Sequence, residues 1–287
     1  MNLVRSVNNI LMVSRPGLWF PTVWLYLLPI TDIFVINSTE FWMGLIYVTL
    51  PLNLFIYGWN DIVDYDIDQL NPRKGNYLFG SKLSKKDLSI LPVIIIITQI
   101  PFLAYFLYTD SSKMLLIFAG LFLVNLLYNL PEKGLRGRPP YELFNQAGFL
   151  LIFPFSSWLN GFDVLSPATF IYTFLFALQG HFAGEIMDIV PDKKGGRKTT
   201  AVLLGFQKSK FLLAAITLIE SLLLVFIFED IILGAALALF TAWILLDALI
   251  IFKHAPYSVT QMKYFGVLVN VFAYASMVWV YINGSFI

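Results

Sequence analysis

The stretch YGWNDIVDYDIDQLNPRKG, residues 57–75, joins the end of a long apolar segment to three aspartates and a basic loop. Its carboxylates Asp61, Asp64 and Asp68 are spaced i, i+3 and i+7, which places them along one face of a helix. An apolar helix that ends in a charged stripe and a basic loop is typical of a helix that reaches the surface of a membrane.

The same acidic spacing returns 124 residues later, in HFAGEIMDIVPDKKGGRKTTAVLLG, residues 181–205. Here the stripe consists of Glu185, Asp188 and Asp192. Carboxylates in such a stripe repel one another unless a cation joins them, and hard divalent cations prefer oxygen ligands. Two matched stripes in a very apolar chain therefore predict a divalent metal site at a membrane face.

Composition supports a membrane protein. The chain of 287 residues is 58% hydrophobic and only 13% charged, whereas soluble domains average about 45–50% apolar and about 25% charged residues. Its length fits a single domain, residues 1–287. The net charge of +1 gives no field that favours nucleic acid, and the absence of cysteine excludes disulfides and thiolate chemistry.

Apolar stretches of about 20 residues predict an all-α, polytopic membrane protein. We expect about nine transmembrane helices in one bundle around a central apolar cavity with a polar mouth on the cytoplasmic side. The predicted spans are residues 17–36, 41–59, 89–108, 114–130, 142–159, 167–188, 211–228, 230–252 and 264–283.

The basic residues alternate between the predicted loops. The N-terminal segment and the loops after even-numbered spans carry 18 of the 19 Lys and Arg residues, and Lys113 alone lies in an odd-numbered loop. Because cytoplasmic loops are enriched in Lys and Arg, this alternation predicts that the N-terminus and both acidic stripes are cytoplasmic and that the C-terminus lies on the opposite side.

Basic residues follow both stripes and suggest a phosphate ligand. They are Arg73 and Lys74 after the first stripe, and Lys193, Lys194, Arg197 and Lys198 after the second. Two or more Mg²⁺ ions held by the stripes would bridge a diphosphate, and these cations would bind the remaining phosphate oxygens. A diphosphate at the mouth of an apolar bundle indicates an isoprenoid diphosphate. The simpler alternative is a solvated charged face that only marks the membrane boundary.

These residues resemble the motifs of the UbiA superfamily of intramembrane prenyltransferases. The first stripe reads N-D-x-x-D-x-x-x-D, the family's first motif, and the second approximates the family's D-x-x-D-x-x-x-D. The resemblance implies Mg²⁺-dependent transfer of a prenyl group from an isoprenyl diphosphate donor to a lipophilic acceptor. By match it assigns Asp61, Asp64, Asp188 and Asp192 to metal and diphosphate binding, with Asn60 and Asp68 supporting them, Asp68 also as a metal ligand.

The second motif departs from the family pattern. Many quinone-type members have Tyr-x-x-Lys directly before it, where this chain has His181 and Gly184, and Glu185 replaces the first Asp while keeping the charge for substrate binding. The Asn-Pro-x-Lys run after the first motif and the His-x-x-Gly run that precedes Glu185 more closely resemble the branch that elongates carotenoids such as lycopene. Quinone precursors, chlorophyll-type molecules and lipids remain alternative acceptors.

Four further polar residues are candidates. His181 lies on the helix of the second stripe and is either a general base near neutral pH or a hydrogen-bonded packing residue. Arg15, before Pro16, resembles a common family start, which implies a place near the diphosphate. Glu220 and Asp247 fall within predicted spans, and for both we favour a structural pairing over a catalytic role.

Rival functions make different predictions. An ion-coupled transporter would place its carboxylates near the bilayer midplane, whereas here six acidic positions cluster at one face beside cations. A soluble aspartate-rich isoprenoid synthase shares the metal chemistry but not the apolar spans. A regulatory membrane protein with an unused site would have the same residues, and no feature of the sequence separates it from the enzyme.

Overall fold

The structure, a computed structural model, describes residues 3–109, 111–284 and 286. Within these ranges the chain is helical and contains no strand, which confirms the all-α prediction. The α-helices are α1 Leu3–Val13, α2 Phe20–Leu27, α3 Thr39–Val48, α4 Leu50–Val63, α5 Tyr65–Leu70, α6 Lys85–Thr109, α7 Ser111–Asn129, α8 Tyr141–Phe144, α9 Ile152–Asn160, α10 Pro167–Lys194, α11 Thr200–Phe226, α12 Ile231–Leu246 and α13 Val259–Asn283.

Six helical stretches in the described ranges are long and apolar enough to cross a membrane. They contain or overlap six of the predicted spans, and they are Thr39–Val63, Lys85–Thr109, Ser112–Asn129, Thr200–Phe226, Ile231–Ile251 and Val259–Asn283. Large apolar side chains are exposed on these helices, as on Ile97, Leu239 and Phe272. Such exposed faces suit a lipid environment.

The other three predicted spans have a different local structure. Residues 17–36 contain the short α2 and a 3₁₀ helix, Ile33–Asn37, and residues 142–159 combine α8, a seven-residue 3₁₀ helix and α9. Residues 167–188 lie within α10, which is 28 residues long and carries the second acidic stripe. The number of nine transmembrane helices and the central cavity therefore remain predictions.

Two of the membrane helices are interrupted. Between α3 and α4, Thr49 adopts a non-helical conformation (φ −85°, ψ −101°), two residues before Pro51. Proline has no N–H to donate and is best tolerated in the first turn of a helix, so α4 restarts there. The predicted span 211–228 was too short at its beginning, because α11 starts at Thr200 and has a kink at Gly205.

Side-chain caps fix where the last four helices begin. In each, a Ser, Thr or Asp at the N-cap accepts a hydrogen bond from the backbone N–H three residues ahead, which satisfies a donor that the helix leaves free. The capping residues are Ser166 of α10, Thr199 of α11, Asp230 of α12 and Ser258 of α13. The start of α11 is important for the site, because Thr199 follows the basic loop of the second stripe directly.

A cluster of aromatic side chains stabilises the part of the bundle that lies away from both stripes. Phe106 is fully buried, and its ring centroid lies 5.5 Å from that of Tyr47 and 5.1 Å from that of Phe155. Aromatic pairs of this kind contribute roughly 0.5–1.5 kcal/mol beyond the area they bury. The rings come from α3, α6 and α9, so the cluster joins separate helices into one core.

Candidate active site

The first stripe spans a break between two helices. Asp61 lies in the last turn of α4, Asp64 lies between the helices (φ −94°, ψ 9°), and Asp68 belongs to α5. The uninterrupted helix that the spacing suggested is therefore wrong at Asp64. The three carboxylates are nevertheless all buried, and the hydrogen bond from Asp68 N to Asp64 O, 2.9 Å long, keeps a helical register across the break.

The second stripe lies entirely on α10, as its spacing predicted. Glu185 and Asp192 are buried, and the side chain of Asp188 is about one fifth exposed. One uninterrupted helix therefore presents Glu185, Asp188 and Asp192 along a single face.

The loop after the first stripe binds the second stripe. Arg73 donates two parallel hydrogen bonds to Asp188, from Nε to Oδ1 at 2.7 Å and from Nη2 to Oδ2 at 2.5 Å. Asn71 Nδ2 donates to the same Oδ1 at 2.8 Å. Arg73 also lies over the Phe79 ring, 4.9 Å from its centroid. Because the two bonds are parallel, they fix the guanidinium plane as well as its position.

The loop after the second stripe binds the first in return. Arg197 forms ion pairs with Asp64 and, over 3.6 Å from Nη1 to Oδ1, with Asp192. Arg136, from the loop between α7 and α8, donates to Asp64 as well. Burial and the nearby Arg197 cation lower the pKa of Arg136 to about 10. The two stripes are therefore joined crosswise: Arg73, which follows the first stripe, binds the second, and Arg197, which follows the second stripe, binds the first.

Lys74 and Arg15 complete the set of cations around the first stripe. Lys74 Nζ lies 2.8 Å from both Asp61 Oδ1 and Asp68 Oδ2, and Arg15 Nη2 lies 2.9 Å from Asp61 Oδ1. Arg15 also stacks over the ring of Tyr57, 4.4 Å from its centroid. Burial raises the pKa of the Asp68 carboxyl, and the Lys74 ammonium opposes that rise.

A chain of asparagines contacts the first stripe at Asp64. Asn60 Nδ2 donates to Asp64 Oδ2 at 3.0 Å and lies 3.4 Å from Asn129 Oδ1, and Asn129 in turn donates to Asn125. Asn60 thus contacts Asp64 of the first stripe directly, and its support of metal and diphosphate binding stays a prediction. Asn129 extends this chain of contacts to α7, which fits the reading of an asparagine in an apolar helix as either cavity-lining or bridging two helices.

Glu185 differs from the other acidic residues in its partners. Its Oε2 accepts a hydrogen bond from the backbone N–H of Ala201 at 3.2 Å, and its Oε1 lies 3.2 Å from His181 Nε2. The buried Glu142 accepts from Thr200 N at 2.6 Å and from its hydroxyl at 2.7 Å. Both glutamates thus bind free N–H groups at the start of α11, where negative charge is favourable.

Some predicted residues lie outside this network, and others were missed. Lys193 and Lys198 are exposed, and their contact with phosphate stays a prediction. Arg136, Asn71 and Glu142 were not assigned to the site from the sequence. Arg136 had only been counted among the cytoplasmic basic residues, and Asn71 directly precedes Pro72 in the basic loop.

Glu220 and Asp247 both have polar partners within the bundle. Gln179 Nε2 donates to Glu220 at 3.1 Å, and Lys210 Nζ lies 2.9 Å from Asp247 Oδ2. These contacts fit the structural pairing that we favoured. Asp247 also begins a short π-helix, Asp247–Ile251, that follows α12.

The donor set suits a hard divalent cation that is shared with a ligand. Asp61 Oδ2 is buried and has no hydrogen-bond partner among the described residues. In the same ranges no three acidic or imidazole groups are close enough to hold a metal ion by themselves. Mg²⁺ typically binds through one or two carboxylates together with substrate phosphates, so the carboxylates of the two stripes, which Arg197 joins, fit its chemistry.

Comparison with known proteins identifies the family. A model of the UbiA prenyltransferase family matches residues 18–269. The chain belongs to this family. It is therefore an integral membrane prenyltransferase, and the resemblance noted in its motifs is confirmed.

Curated relatives of the chain are carotenoid enzymes. It is 26% identical over 216 residues to a lycopene elongase/hydratase of Corynebacterium glutamicum, which covers 71% of each chain. It is 29% identical over 163 residues to a lycopene elongase/hydratase of Haloarcula japonica, covering 56% of this chain and 53% of the relative.

Solved structures show the same fold. A UbiA homologue from Archaeoglobus fulgidus bound to DMAPP and Mg²⁺ has a TM-score of 0.64 at 18% identity, and covers 94% of this chain and 99% of its own. The same homologue bound to GPP and Mg²⁺ gives a TM-score of 0.60 with the same coverage.

Proposed function

We propose that this prenyltransferase transfers a prenyl group, with Mg²⁺, from an isoprenyl diphosphate to a lipophilic acceptor within the bilayer. In this proposal residues 1–287 form a single domain. The N-terminus and both stripes face the cytoplasm, and the C-terminus faces the opposite side. The observation that carries the proposal is the exchange of arginines between the stripes, since it brings carboxylates and cations from both halves of the chain to one place.

The cations would form the diphosphate site. Each of them now neutralises a carboxylate of the stripes, and the five are Arg15, Arg73, Lys74, Arg136 and Arg197. A bound diphosphate offers them several oxygens of higher charge density, and arginine forks match such oxygens in pairs. The cations would then pair with phosphate and leave the carboxylates free.

The released carboxylates would hold the metal ions. Asp61, Asp64, Asp68, Asp188 and Asp192 are the proposed ligands for two or more Mg²⁺ ions that bridge the diphosphate. Asn60 would keep Asp64 oriented through the hydrogen bond it already makes. When bound, such ions stabilise the negative charge that develops on the leaving diphosphate. Glu185 is not included, because both of its oxygens have partners that tie it to α10 and α11.

The reaction would proceed by substitution at the allylic carbon. The bond between this carbon and the diphosphate oxygen breaks, and its electron pair leaves with the diphosphate. The π electrons of the acceptor alkene form the new carbon–carbon bond, and the resulting cation loses a proton to give a new alkene. His181 is the proposed proton acceptor. It lies on α10 one turn before Glu185, whose Oε1 is 3.2 Å from its Nε2, and its ring contacts that of Tyr128 edge to face, 6.1 Å between centroids.

For the acceptor we propose a carotenoid such as lycopene, and two observations support it. Both curated relatives named above are lycopene elongase/hydratases. In addition, a Cβ atom placed on Gly184 would lie 3.9 Å from Arg73 Nη2. The Arg73 guanidinium therefore lies where a side chain at position 184 would begin, and quinone-type members have a lysine at that position. Quinone precursors, chlorophyll-type molecules and lipids are the alternative acceptors within the same reaction.

One reconstitution experiment tests both the reaction and the acceptor. The full-length protein is reconstituted in liposomes with lycopene, dimethylallyl diphosphate and Mg²⁺, and the lipids are analysed by mass spectrometry. We expect carotenoids longer by C5 units and release of inorganic diphosphate. Prenylation of an added aromatic acid without any longer carotenoid would overturn the acceptor, and no diphosphate release with any acceptor would overturn the enzyme site.

A further inference from the structure

The loop that carries Arg73 and Lys74 is held together by one asparagine. We refer to residues 71–80 as the 71–80 loop. Asn76 Oδ1 accepts hydrogen bonds from Leu78 N and Phe79 N, both at 3.0 Å, while its Nδ2 donates to Arg73 O at 2.7 Å. The backbone closes with Gly75 N to Gly80 O at 2.8 Å. These bonds connect Arg73 to the backbone of residues 78 and 79, so the positions of Leu78 and of the Arg73 backbone depend on each other.

The tip of this loop lies between two glycines from opposite ends of the chain. A Cβ atom on Gly17 would lie 2.6 Å from Leu78 Cδ1 and 2.9 Å from Leu78 Cα, and one on Gly266 would lie 2.6 Å from Leu78 Cδ2. A Cβ on Gly17 would collide with the backbone of Leu78, and a Cβ on Gly266 would force the Leu78 side chain to move, so Leu78 occupies its present position because both residues lack a Cβ. We call the space between Gly17 and Gly266 the glycine cleft.

Hydrogen bonds close the glycine cleft around the loop. Gly17 N donates to Tyr77 O at 3.1 Å, and Asn270 Nδ2 donates to Gly17 O at 2.8 Å. Asn270 lies one turn after Gly266 on α13. Among the residues of α13, all of which the structure describes, only Met262, Gly266 and Val280 are buried. Leu78 thus packs against one of the three buried positions of α13.

The other end of the loop carries the charges of the site. Arg73 is paired with Asp188, Lys74 with Asp61 and Asp68, and the backbone of Gly80 lies against Arg15, whose Nε would be 2.9 Å from a Cβ there. The leucine is four residues from the lysine and five from Arg73. Any displacement of the tip therefore moves both cations relative to the carboxylates.

We propose that Leu78 is a positioning residue for diphosphate binding, because its place in the glycine cleft sets the position of Arg73 and Lys74. This inference rests on the proposed diphosphate site. It assigns a role in binding the donor to a side chain that touches neither donor nor metal, and it makes Gly17 and Gly266 part of that role.

Three variants of the full-length protein in lipid nanodiscs test the inference. Leu78→Ala empties the glycine cleft and should raise the KM for dimethylallyl diphosphate roughly tenfold, since two cations must be ordered during binding. The kcat and the KM for the acceptor should stay within about twofold. Leu78→Met, which refills the space with a flexible apolar side chain, should restore the donor KM. Gly266→Ala should displace the leucine and raise the donor KM, although alanine favours helix formation.

A double variant and a matched control separate contact from general damage. In the Leu78→Ala background the added methyl group of Gly266→Ala has room, so the second change should have no further effect on the donor KM. Gly180→Ala is the control, because no atom lies within 4 Å of a Cβ at that helical glycine, and it should behave as the unaltered protein. Thermal unfolding of each variant with inorganic diphosphate and Mg²⁺ gives a second readout, in which Leu78→Ala should show a smaller stabilisation by the ligand.

The outcomes distinguish this inference from the function on which it rests. Three results would each overturn the role of Leu78. They are an unchanged donor KM in Leu78→Ala, a donor KM raised as much in Leu78→Met as in Leu78→Ala, and additive increases of the donor KM in the double variant. If Asp64→Asn abolishes turnover in the same assay while these results fail, only the inference is wrong. If Asp64→Asn leaves turnover intact, the diphosphate site itself is misplaced.

Discussion

Asp61, Asp64 and Asp68 have the same spacing as Glu185, Asp188 and Asp192, but the structure uses the two sets differently. The first set lies across a helix break and pairs with cations from four segments of the chain. The second set lies on one continuous helix, and its first member binds the backbone of the next helix. Identical spacing therefore fixes which residues share a face, whereas their partners decide which of them are available to a ligand.

The largest effect should come from the residue with the most partners. Asp64→Asn removes the charge that Arg136 and Arg197 share, and a proposed ligand of the metal. Turnover should fall by roughly 1000-fold, in keeping with the loss of a main electrostatic contact in a transition state. Release of inorganic diphosphate measures this directly. Asp66→Asn is the matched control, since Asp66 lies two residues after Asp64 and is exposed on α5. Full activity in Asp64→Asn would remove the first stripe from the site.

The second largest effect should come from Arg73, which follows the first stripe and binds the second. Arg73→Gln removes the two bonds to Asp188 and a proposed contact to phosphate, so the donor KM should rise roughly 30-fold. Arg73→Lys keeps the charge but loses the two parallel hydrogen bonds, so its donor KM should lie between those of the unaltered protein and Arg73→Gln. Steady-state kinetics with varied dimethylallyl diphosphate checks both, with Lys86→Gln, an exposed cation on α6, as the control. A kcat defect without any change in donor KM would contradict the assignment of Arg73 to the diphosphate.

Much of this arrangement follows from the sequence, because it depends on local properties. Apolar length predicted the six long membrane helices, and the complete first motif predicted the family. The rest depends on contacts between distant segments. Neither the break at Asp64 nor the crossing of Arg73 and Arg197 to the other stripe is encoded in spacing. The role of Arg136 depends on the position of a loop from a third region, and the division of residues 17–36 and 142–159 into short helices is not evident from their apolar composition.

Substitutions of Glu185 test whether this residue is a metal ligand or instead caps the start of α11. Glu185→Gln keeps an oxygen that can accept from Ala201 N, and should lower turnover only about threefold. Glu185→Asp restores the residue typical of the family motif but is one methylene shorter, so it should lose that bond, lower the melting temperature and reduce turnover about tenfold. If Glu185 were instead a metal ligand, the order would reverse. Turnover at varied Mg²⁺, together with thermal unfolding, separates the two.

The smallest effect should come from the lysines beside the second stripe. Lys193 and Lys198 are exposed on either side of Arg197, which alone among the three contacts the carboxylates. Exposed charges are screened by solvent and salt, so Lys193→Ala and Lys198→Ala should change the donor KM less than about twofold, whereas Arg197→Ala should raise it at least tenfold. The assay is the same kinetics at low and physiological ionic strength. A tenfold effect of either lysine at physiological salt would mean that the diphosphate lies further along the loop after α10 than the ion pairs with Asp64 indicate.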